Sequence, residues 1–469
     1  MQYILMMSTR KFTSMLLILV LSLFIVAVRV NCAQAEDKGV KSLYLDDLLK
    51  SSLPLQAQWQ LSAIDLESGK ELVSVKHSKD AALVPGSLMK LFVSAAALDR
   101  DARLPMSFDT TVATDGTVHD GTLKGNIYII GSGNALLSVK ELNLAVAGLH
   151  SLGIRIIDGD IIADDSLFEA TNLNKTRWIG PAYASQGALG LDLHTVSVTA
   201  SADKANFSVE PPNDSVHVAF STDGQAGIRR IDDVAYVVTK SGLSNSTVSK
   251  RFGLNDPALY AAGTFKTLLR AAGISHSGNI KKGKAPVSSR VLSRMKAPAL
   301  AEIIANMNQH SLNVVADNVL LKLGAEQFGA PGTRVKGVGA VKDFFVREPV
   351  LADQDVTIFD GSGLSSENRV SAATMTRFFY AASKKAWFRV LYDSIPRAGL
   401  DGAINPGYRN ESVRVKTGQL PDSYSLAGYG EDKYGKKIAF CYMVNGPGAG
   451  LMNAVQASGI TVLRTIFSE

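Results

Sequence analysis

Ser87 and Lys90 form a pair that could carry out nucleophilic catalysis. Pro85 and Gly86 interrupt the backbone just before Ser87, and the Ala- and Leu-rich run after it contains no Gly or Pro until Pro105. We therefore predict that Ser87 lies in the first turn of a buried helix, with Lys90 one turn later on the same face. A serine hydroxyl needs a base to take its proton, and a lysine buried in an apolar cleft can be neutral enough to do so. The pair alone would also fit an ordinary helix that carries an exposed lysine.

Two further groups could complete such a site. Ser311 and Asn313 lie where we predict a junction between two helices, so their side chains can point into one cleft, a hydroxyl to relay protons and an amide to hold a substrate carbonyl. Lys416 and Thr417 end a strand-like run and can bind a carboxylate. Gly418 would let a substrate lie against that strand with no side chain in the way.

Other reactive residue types point to no second chemistry. Cys441 lies in an apolar run and is interpreted as a core residue. The seven histidines are scattered, without the spacing of metal ligands. We expect neither a metal nor a cofactor.

The positioning of these groups requires large folded domains, which the composition allows. The chain has 469 residues, 46% of them hydrophobic and 20% charged, which suits two or three globular domains. Residues 1–35 are typical of an export signal, with a basic start, a short apolar run and a small-residue cleavage site. An uncleaved N-terminal anchor, which would bring peripheral membrane contact, stays an alternative. The net charge of the chain is +6, and cleavage of the signal would remove three positive charges. The small net positive charge that remains argues against nucleic-acid binding.

The order of predicted elements separates the reactive groups widely. A hairpin around Ser68-Gly69 precedes the serine helix, and short strands with glycine turns follow from about residue 103. Residues 196–250 alternate without a convincing helix and indicate a small all-β module. A helical half then resumes, with three strands and an apolar-faced helix at the end. A large insertion therefore lies between Ser87 and Ser311.

Three motifs in this order, Ser-x-x-Lys, Ser-x-Asn and Lys-Thr-Gly, are those of penicillin-binding proteins and β-lactamases. With the large insertion, the chain resembles the D-alanyl-D-alanine carboxypeptidase/endopeptidase family of penicillin-binding protein 4, peptidase family S13. Further matching phrases are Gly159-Asp160 with Asp164-x-Ser166-x-Phe168, Met-Asn-x-x-Ser-x-Asn at 307–313 and Asp-Gly-Ser-Gly-Leu-Ser at 360–365.

The resemblance implies an α/β (α+β) fold. Its core would be a serine β-lactamase or penicillin-binding transpeptidase-like domain, an antiparallel sheet flanked by helices, formed by residues 36–102 and 288–469. A mixed α/β domain of residues 103–195 and 251–287 would be inserted, with the small β domain of 196–250 nested within it.

The resemblance also implies roles for the candidate residues. Ser87 would be the acylated nucleophile, Lys90 its proton acceptor, Ser311 and Asn313 the relay and the substrate clamp, and Lys416 with Thr417 the carboxylate site. The backbone amides of Ser87 and Gln419 would form the oxyanion hole. Asp164 would face the amine of a diaminopimelate residue.

The implied partners are peptidoglycan stem peptides and their cross-links, with β-lactam antibiotics as covalent inhibitors, in the periplasm or another extracytoplasmic compartment. Two positions depart from the family pattern: Ser366 replaces an arginine that helps to hold the diaminopimelate carboxylate, and Gln419 replaces a small hydroxylated residue. The alternatives are therefore a β-lactamase or esterase on the same scaffold, or a catalytically silent penicillin-binding protein. The oligomeric state and the preferred stem peptide are not predicted.

Overall fold

The computed structural model describes residues 38–169, 180–201, 206–239, 247–351, 356–401, 408–446, 448 and 451–467. The predicted export signal of residues 1–35 lies outside these ranges. Within them, no helix has both the length and the apolar character needed to cross a bilayer.

The α-helices of the described residues are numbered in chain order. They are α1 (Lys38–Ser52), α2 (Met89–Arg103), α3 (Val139–Ser151), α4 (Pro257–Ala271), α5 (Leu300–Gln309), α6 (Asn313–Phe328), α7 (Arg334–Arg347), α8 (Ala372–Ser383), α9 (Phe388–Ser394) and α10 (Met452–Phe467).

The largest sheet joins strands from the two ends of the chain. Its members, in spatial order, are β18 (Arg397–Ala398), β19 (Asn410–Leu420), β20 (Ser423–Glu431), β21 (Lys437–Asn445), β1 (Gln58–Asp65) and β2 (Glu71–His77), and all neighbours are antiparallel. The hairpin predicted around Ser68-Gly69 is confirmed, since β1 pairs with β2 and Gly69 has a φ of 72°. A left-handed φ of this kind suits glycine, which has no Cβ to clash.

Helices cover both faces of this sheet. Ala439, Cys441 and Met443 of β21 join a core with α2 and α5 to α9, whereas Phe440 and Tyr442 join a second core with α1 and α10. Successive strand residues point to opposite faces, so a strand buried on both sides must be apolar throughout. The expected antiparallel sheet flanked by helices is therefore present.

Two sheets and two helices form the inserted region after α2. One sheet has the order β16 (Ile280–Lys282), β8 (Ile161–Asp164), β6 (Ile127–Ile130), β3 (Thr110–Thr114) and β17 (Arg290–Met295), and the other has β15 (Ser275–His276), β7 (Ile156–Asp158), β5 (Thr122–Lys124) and β4 (Thr117–His119). They share a hydrophobic core with α3 and α4.

One predicted boundary of this region is wrong by several residues. β17 pairs with β3, so its residues complete the inserted sheet, although the predicted boundary at 287/288 gives them to the catalytic domain. The two paired strands come from opposite ends of the inserted segment. No local pattern in a single sequence indicates a partner so far away in the chain. The rest of the division into domains stays a prediction.

Six short strands form the nested β region in two three-stranded sheets. The first has β10 (Asn206–Glu210), β9 (Thr195–Ser201) and β14 (Thr247–Gly253), and the second has β11 (His217–Ser221), β13 (Ala235–Thr239) and β12 (Gly227–Arg230). Their inward side chains share a separate small core around Tyr236 and Phe252. These strands run from Thr195 to Gly253, a few residues beyond the range 196–250 in which we predict the all-β module.

Candidate active site

Ser87 lies on a tight turn at the edge of the large sheet. Gly86–Leu88 form a single 3₁₀ turn that leads directly into α2, so the predicted first helical turn is a 3₁₀ turn rather than an α-helical one. Gly86 has a left-handed φ of 56°, which a glycine adopts without strain. The Ser425 hydroxyl donates a 2.6 Å hydrogen bond to the Pro85 carbonyl and so ties the turn to β20. Nearly all of the first three turns of α2 is buried, which fixes the direction in which the helix presents Ser87.

Lys90 is fully buried, and its ammonium group contacts three oxygen atoms. Its Nζ lies 2.9 Å from Ser87 Oγ, 2.7 Å from Asn313 Oδ1 and 2.6 Å from the Ser362 carbonyl. Burial lowers the pKa of Lys90 to about 8, and the charges of Asp317 and Asp360 oppose part of that shift.

The hydrogen bonds of Lys90 also fix where its lone pair points when it is neutral. The Asn313 amide oxygen and the Ser362 carbonyl can only accept hydrogen bonds. A neutral amine that keeps both of these bonds has used its two N–H groups, so its lone pair faces Ser87. The Ser87 hydroxyl must then be the donor across the 2.9 Å contact. This is the geometry of a serine activated by an amine base.

Ser311 and Asn313 lie at the junction between α5 and α6, as predicted. Ser311 has a φ of 54°, a left-handed conformation that is uncommon for a residue with a side chain, and Asn313 is the first residue of α6. The Asn313 side-chain amide donates to the Ala182 carbonyl of the inserted region at 3.1 Å. The junction therefore contacts both the catalytic core and the insertion.

Lys416 reaches the same place from β19. Its Nζ lies 2.9 Å from Ser311 Oγ and 2.9 Å from the carbonyl oxygen of Thr417, and only 2% of the residue is exposed. Burial, together with the nearby charge of Lys90, holds the pKa of Lys416 well below its ordinary value. The two lysines thus belong to one electrostatic site.

Gly418 is needed for packing between protein segments. A Cβ at this position would lie 2.2 Å from the Pro85 carbonyl oxygen and 2.4 Å from Ser425 Oγ, and 3.0 Å from the Ser87 amide nitrogen. We expected the missing side chain to make room for substrate, but the structure shows that it makes room for the nucleophile turn. A Cβ at Gly86 would likewise lie 3.0 Å from the Gln419 nitrogen, so the two predicted oxyanion-hole amides lie on adjacent segments.

A cavity of about 530 Å³ opens in front of Ser87. Ser311, Asn313 and Gln419 line it with Ser87, and its walls include Tyr183 from the inserted region and Met452 from α10. The three motifs thus converge on one cavity, with the amines of Lys90 and Lys416 buried behind its polar side.

Asp164 is not part of this cavity lining. It ends β8 and is only 5% exposed, and its carboxylate accepts hydrogen bonds from the backbone amides of Ser166 at 3.0 Å and Ala285 at 2.7 Å. The structure therefore uses Asp164 to close a turn of the inserted region, and its predicted contact with a substrate amine stays a prediction. Ser366, the other position of the implied diaminopimelate anchor, is exposed, and its carbonyl accepts from the Arg369 guanidinium.

Two buried carboxylates beside Lys90 have no role in our sequence interpretation. Asp317 lies on α6, and Asp360 begins the Asp-Gly-Ser-Gly-Leu-Ser segment; both are fully buried. Burial and the charge of Asp360 raise the pKa of Asp317. The available sequence signal is a charged residue in an apolar helix, one turn after Asn313.

The remaining candidates for reactive chemistry are structural. Cys441 is fully buried in the sheet, and burial raises the pKa of its thiol. Among the residues that the structure describes, no group of three or more His, Cys, Asp or Glu side chains could hold a metal ion.

The sheet covered by helices on both faces, with a Ser-x-x-Lys turn at its edge, defines a serine hydrolase of the penicillin-recognising fold. The family model for the D-Ala-D-Ala carboxypeptidase 3 (S13) family matches residues 43–465, and the chain belongs to this peptidase family. The predicted family, fold class and enzyme class are confirmed.

Several characterised proteins are similar over most of the chain. The D-alanyl-D-alanine carboxypeptidase DacB of Haemophilus influenzae is 25% identical over 396 residues, covering 78% of this chain and 81% of the relative. The D-alanyl-D-alanine carboxypeptidase of Actinomadura sp. (strain R39) is 26% identical over 432 residues, covering 84% of this chain and 78% of the relative. The crystal structure of penicillin binding protein 4 (dacB) from H. influenzae superposes with a TM-score of 0.76 at 22% identity, over 90% of this chain and 98% of that one. That likeness shows the same fold across the core and the insertion.

Proposed function

We propose that this protein is an extracytoplasmic D-Ala-D-Ala carboxypeptidase and endopeptidase that acts on peptidoglycan stem peptides and cross-links through an acyl-enzyme on Ser87. Family membership supports the peptidase class, and the relatives with carboxypeptidase names support the substrate class. The observation that carries the proposal is the contact between Lys90 and Ser87, in which two acceptor-only partners direct the amine lone pair at the hydroxyl.

The reaction would proceed in two steps. Neutral Lys90 takes the proton of Ser87 while Oγ bonds to the carbonyl carbon of the scissile amide, and the backbone amides of Ser87 and Gln419 stabilise the oxyanion. The C–N bond then breaks, and the leaving amine receives a proton that the Lys416 ammonium group donates through the Ser311 hydroxyl, 2.9 Å away. In the second step water attacks the acyl carbon and gives a proton through Ser311 to Lys416, while the Lys90 ammonium group returns its proton to the Ser87 oxygen as the acyl bond breaks.

Lys416 and Thr417 would bind the terminal carboxylate of the substrate. An incoming carboxylate favours the ammonium form of a lysine whose pKa is depressed by burial, so binding would be accompanied by proton uptake at Lys416. The same site would bind the carboxylate of a β-lactam, which we propose as a covalent inhibitor. A crystal structure of penicillin binding protein 4 from H. influenzae holds a β-lactam. Export through a signal at residues 1–35 would deliver the protein to the cell wall.

Covalent labelling with a fluorescent penicillin tests the nucleophile. We expect the wild-type protein to be labelled and Ser87→Ala to remain unlabelled, because only the Ser87 hydroxyl can form the acyl bond. Ser68→Ala, in the exposed turn of the β1–β2 hairpin, is the matched control and should label like the wild type. Label that persists on Ser87→Ala would show that another residue is the nucleophile.

Product analysis separates the proposed peptidase from its alternatives. D-alanine released from a pentapeptide stem, and cleaved cross-links in a digest of purified sacculi, should both appear by mass spectrometry. A β-lactamase would instead turn over penicillin rapidly and lose the label, and a silent binding protein would label without releasing D-alanine.

A further inference from the structure

Asp317 lies one helical turn after Asn313 and binds the segment that follows Asp360. Its Oδ1 accepts hydrogen bonds from the backbone amides of Gly361 at 2.9 Å and Ser362 at 2.8 Å. Its Oδ2 accepts from Gln186 Nε2 at 3.1 Å. All three donors bind lone pairs of the Asp317 carboxylate. A proton on either oxygen would compete with one of these donors, so the contacts favour the ionised form.

Ser362 connects Asp317 to the proposed base. The amide of Ser362 is held by Asp317, and the carbonyl of the same residue accepts the shortest hydrogen bond of Lys90, at 2.6 Å. That carbonyl is one of the two acceptors that turn the Lys90 lone pair toward Ser87. The position of the Ser362 backbone therefore decides the direction of the lone pair.

Asp360 does not duplicate this contact. Its carboxylate accepts from the amides of Gly363 and Ser365, each at 2.7 Å, and from Asn368 Nδ2 at 2.9 Å. It closes the later part of the segment, whereas the contacts of Asp317 reach the residue that binds Lys90.

Asp317 also lies where the inserted region meets the catalytic core. Gln186 belongs to the inserted region, and the next residue on α6, Asn318, donates to the carbonyls of Gly133 and Gly187 at 3.2 and 2.9 Å. Both Asp317 and Asn318 are buried. Asn318 thus binds the same region as Asp317, but its side chain hydrogen-bonds to Gly133 and Gly187 rather than to the backbone that orients Lys90.

We propose that Asp317 is a positioning residue for Lys90: it holds the Ser362 carbonyl that orients the amine, and its negative charge sets the pH at which the amine becomes a base. The inference rests on the proposed function, because it assumes that Lys90 activates Ser87.

Three charged groups face Lys90 or share its site. Asp317 on α6 and Asp360 on the following segment favour its ammonium form, and the charge of Lys90 in turn disfavours the ammonium form of Lys416 on β19. Removing the charge of Asp317 leaves Asp360 as the only carboxylate among these three groups. The pKa of Lys90 should then fall, and acylation should begin at lower pH.

Two substitutions separate charge from position. Asp317→Asn keeps the shape and an acceptor oxygen for both amides, and Gln186 can turn its own oxygen toward the new NH₂. We expect the midpoint of acylation against pH to move down by about one unit, the lower end of the effect of a nearby charge, with a similar maximal rate. Asp317→Ala removes the acceptor, so we expect its maximal rate of acylation to fall at least about tenfold, as for a misplaced general base.

Asn318→Ala is the control for a merely structural effect. It breaks buried hydrogen bonds to the same inserted region, so it should lower thermal stability without moving the midpoint. Rates would be measured on the full chain by stopped-flow fluorescence with a fluorescent penicillin. An unchanged midpoint in Asp317→Asn, or an equal shift in Asn318→Ala, would overturn the proposal.

A double variant keeps the test decisive if Asp317→Asn does not fold. Asp317→Asn with Gln186→Glu restores the hydrogen bond to the inserted region but moves the negative charge one side chain farther from Lys90. Its midpoint should lie below that of the wild type, and a wild-type midpoint would contradict the role of the charge. Failure of the proposed function itself looks different, because the wild-type protein would then not be labelled at all.

Discussion

At the scale of single residues, the site depends on two lysines that are hidden from water. Water stabilises an ammonium ion, so burial favours the neutral amine unless a carboxylate is close. Lys90 has two carboxylates nearby and a pKa of about 8, whereas the burial of Lys416 and the charge of Lys90 lower the pKa of Lys416 without such compensation. The two amines are therefore suited to different tasks, one to exchange a proton and the other to receive an anion.

The pKa of Lys90 predicts the pH dependence of acylation. Only the neutral amine can accept the Ser87 proton, so the rate should rise with pH through a midpoint near pH 8. Stopped-flow acylation by a fluorescent penicillin from about pH 6 to about pH 10 would measure it. Lys79→Met, which removes an exposed lysine, should leave the profile unchanged. A flat profile in the wild type would exclude Lys90 as the titrating base.

The backbone of Ser311 predicts a difference in stability between two substitutions. Ser311→Ala keeps a Cβ at a φ of 54°, whereas Ser311→Gly removes it. The left-handed conformation costs a residue with a Cβ roughly 1–2 kcal/mol, and glycine loses roughly 0.4–1 kcal/mol through the entropy of the unfolded chain. We expect the glycine variant to be more stable, by about 0.5–1 kcal/mol.

Chemical denaturation of the two Ser311 variants would measure this difference. Both should acylate slowly, because both lack the hydroxyl that lies beside Lys416. An alanine variant as stable as the glycine variant would show that the turn is not strained.

The sequence was sufficient to identify the motif residues but not their buried support. Ser87, Lys90, Ser311, Asn313 and Lys416 belong to short patterns with recognisable chemistry, and the structure brings them together. Asp317 is a lone acidic residue in a helix, a feature with many ordinary explanations. Its contacts come from segments far away in the chain, so only the folded structure reveals them.

At the scale of elements, the nucleophile turn is enclosed by two glycines from different segments. A Cβ at Gly363 would lie 1.9 Å from the Gly86 carbonyl oxygen, and one at Gly418 would lie 2.2 Å from the Pro85 carbonyl oxygen. β18 pairs only with the first part of β19, so the turn packs against a sheet edge that lacks another strand among the described residues.

A single methyl group at Gly363 should disturb this enclosure. Gly363→Ala must displace the turn, and a shift of about 1 Å in a reacting group can slow a reaction about 100-fold. Gly329→Ala is the matched control, because Gly329 has a φ of 83° against 81° for Gly363 but no atom within 4 Å of its Cβ position. The control should lose roughly 1–3 kcal/mol of stability from backbone strain and keep its acylation rate.

Acylation rates and thermal unfolding of both glycine variants would separate the two effects. Equal acylation rates in Gly363→Ala and Gly329→Ala would show that the nucleophile turn tolerates the displacement.

The elements themselves were predictable to different degrees. The hairpin and the apolar strands follow from local periodicity, which needs no distant partner. The hydrogen bond between the Asp164 carboxylate and the amide of Ala285 was not predicted, because a contact between such distant segments leaves no local pattern.

At the scale of the whole molecule, the buried Lys90 amine makes folding stability depend on pH. In the unfolded chain this lysine keeps its proton up to its ordinary pKa of 10.5, whereas the folded protein releases it above about pH 8. Between these values the unfolded state binds more protons, so stability rises with pH. Over the full window the contribution amounts to about 3 kcal/mol, at 1.36 kcal/mol for each unit of pKa.

Comparison of the wild type with Lys90→Met isolates this contribution. The difference in unfolding free energy should change in favour of the wild type from about pH 8 to about pH 10.5. The buried Cys441 titrates equally in both proteins and cancels, whereas loss of the Lys90 charge raises the pKa of Asp317 further, so the comparison is made within this pH window. Urea denaturation at a series of pH values would measure the difference, and a constant value across the window would contradict the shifted pKa.

The Asn313 side-chain amide has two N–H groups, and one of them already donates to the Ala182 carbonyl at 3.1 Å. A ligand carbonyl can accept from the second N–H group, whereas a ligand that displaces Ala182 exchanges one hydrogen bond for another of similar strength and gains little affinity from the contact. The hydrogen bond between Asn313 and Ala182 restricts the shape of a ligand. A ligand that displaces Ala182 without supplying a carbonyl leaves a half-buried N–H group with no acceptor. Antibiotic side chains that do not displace Ala182 would avoid this restriction.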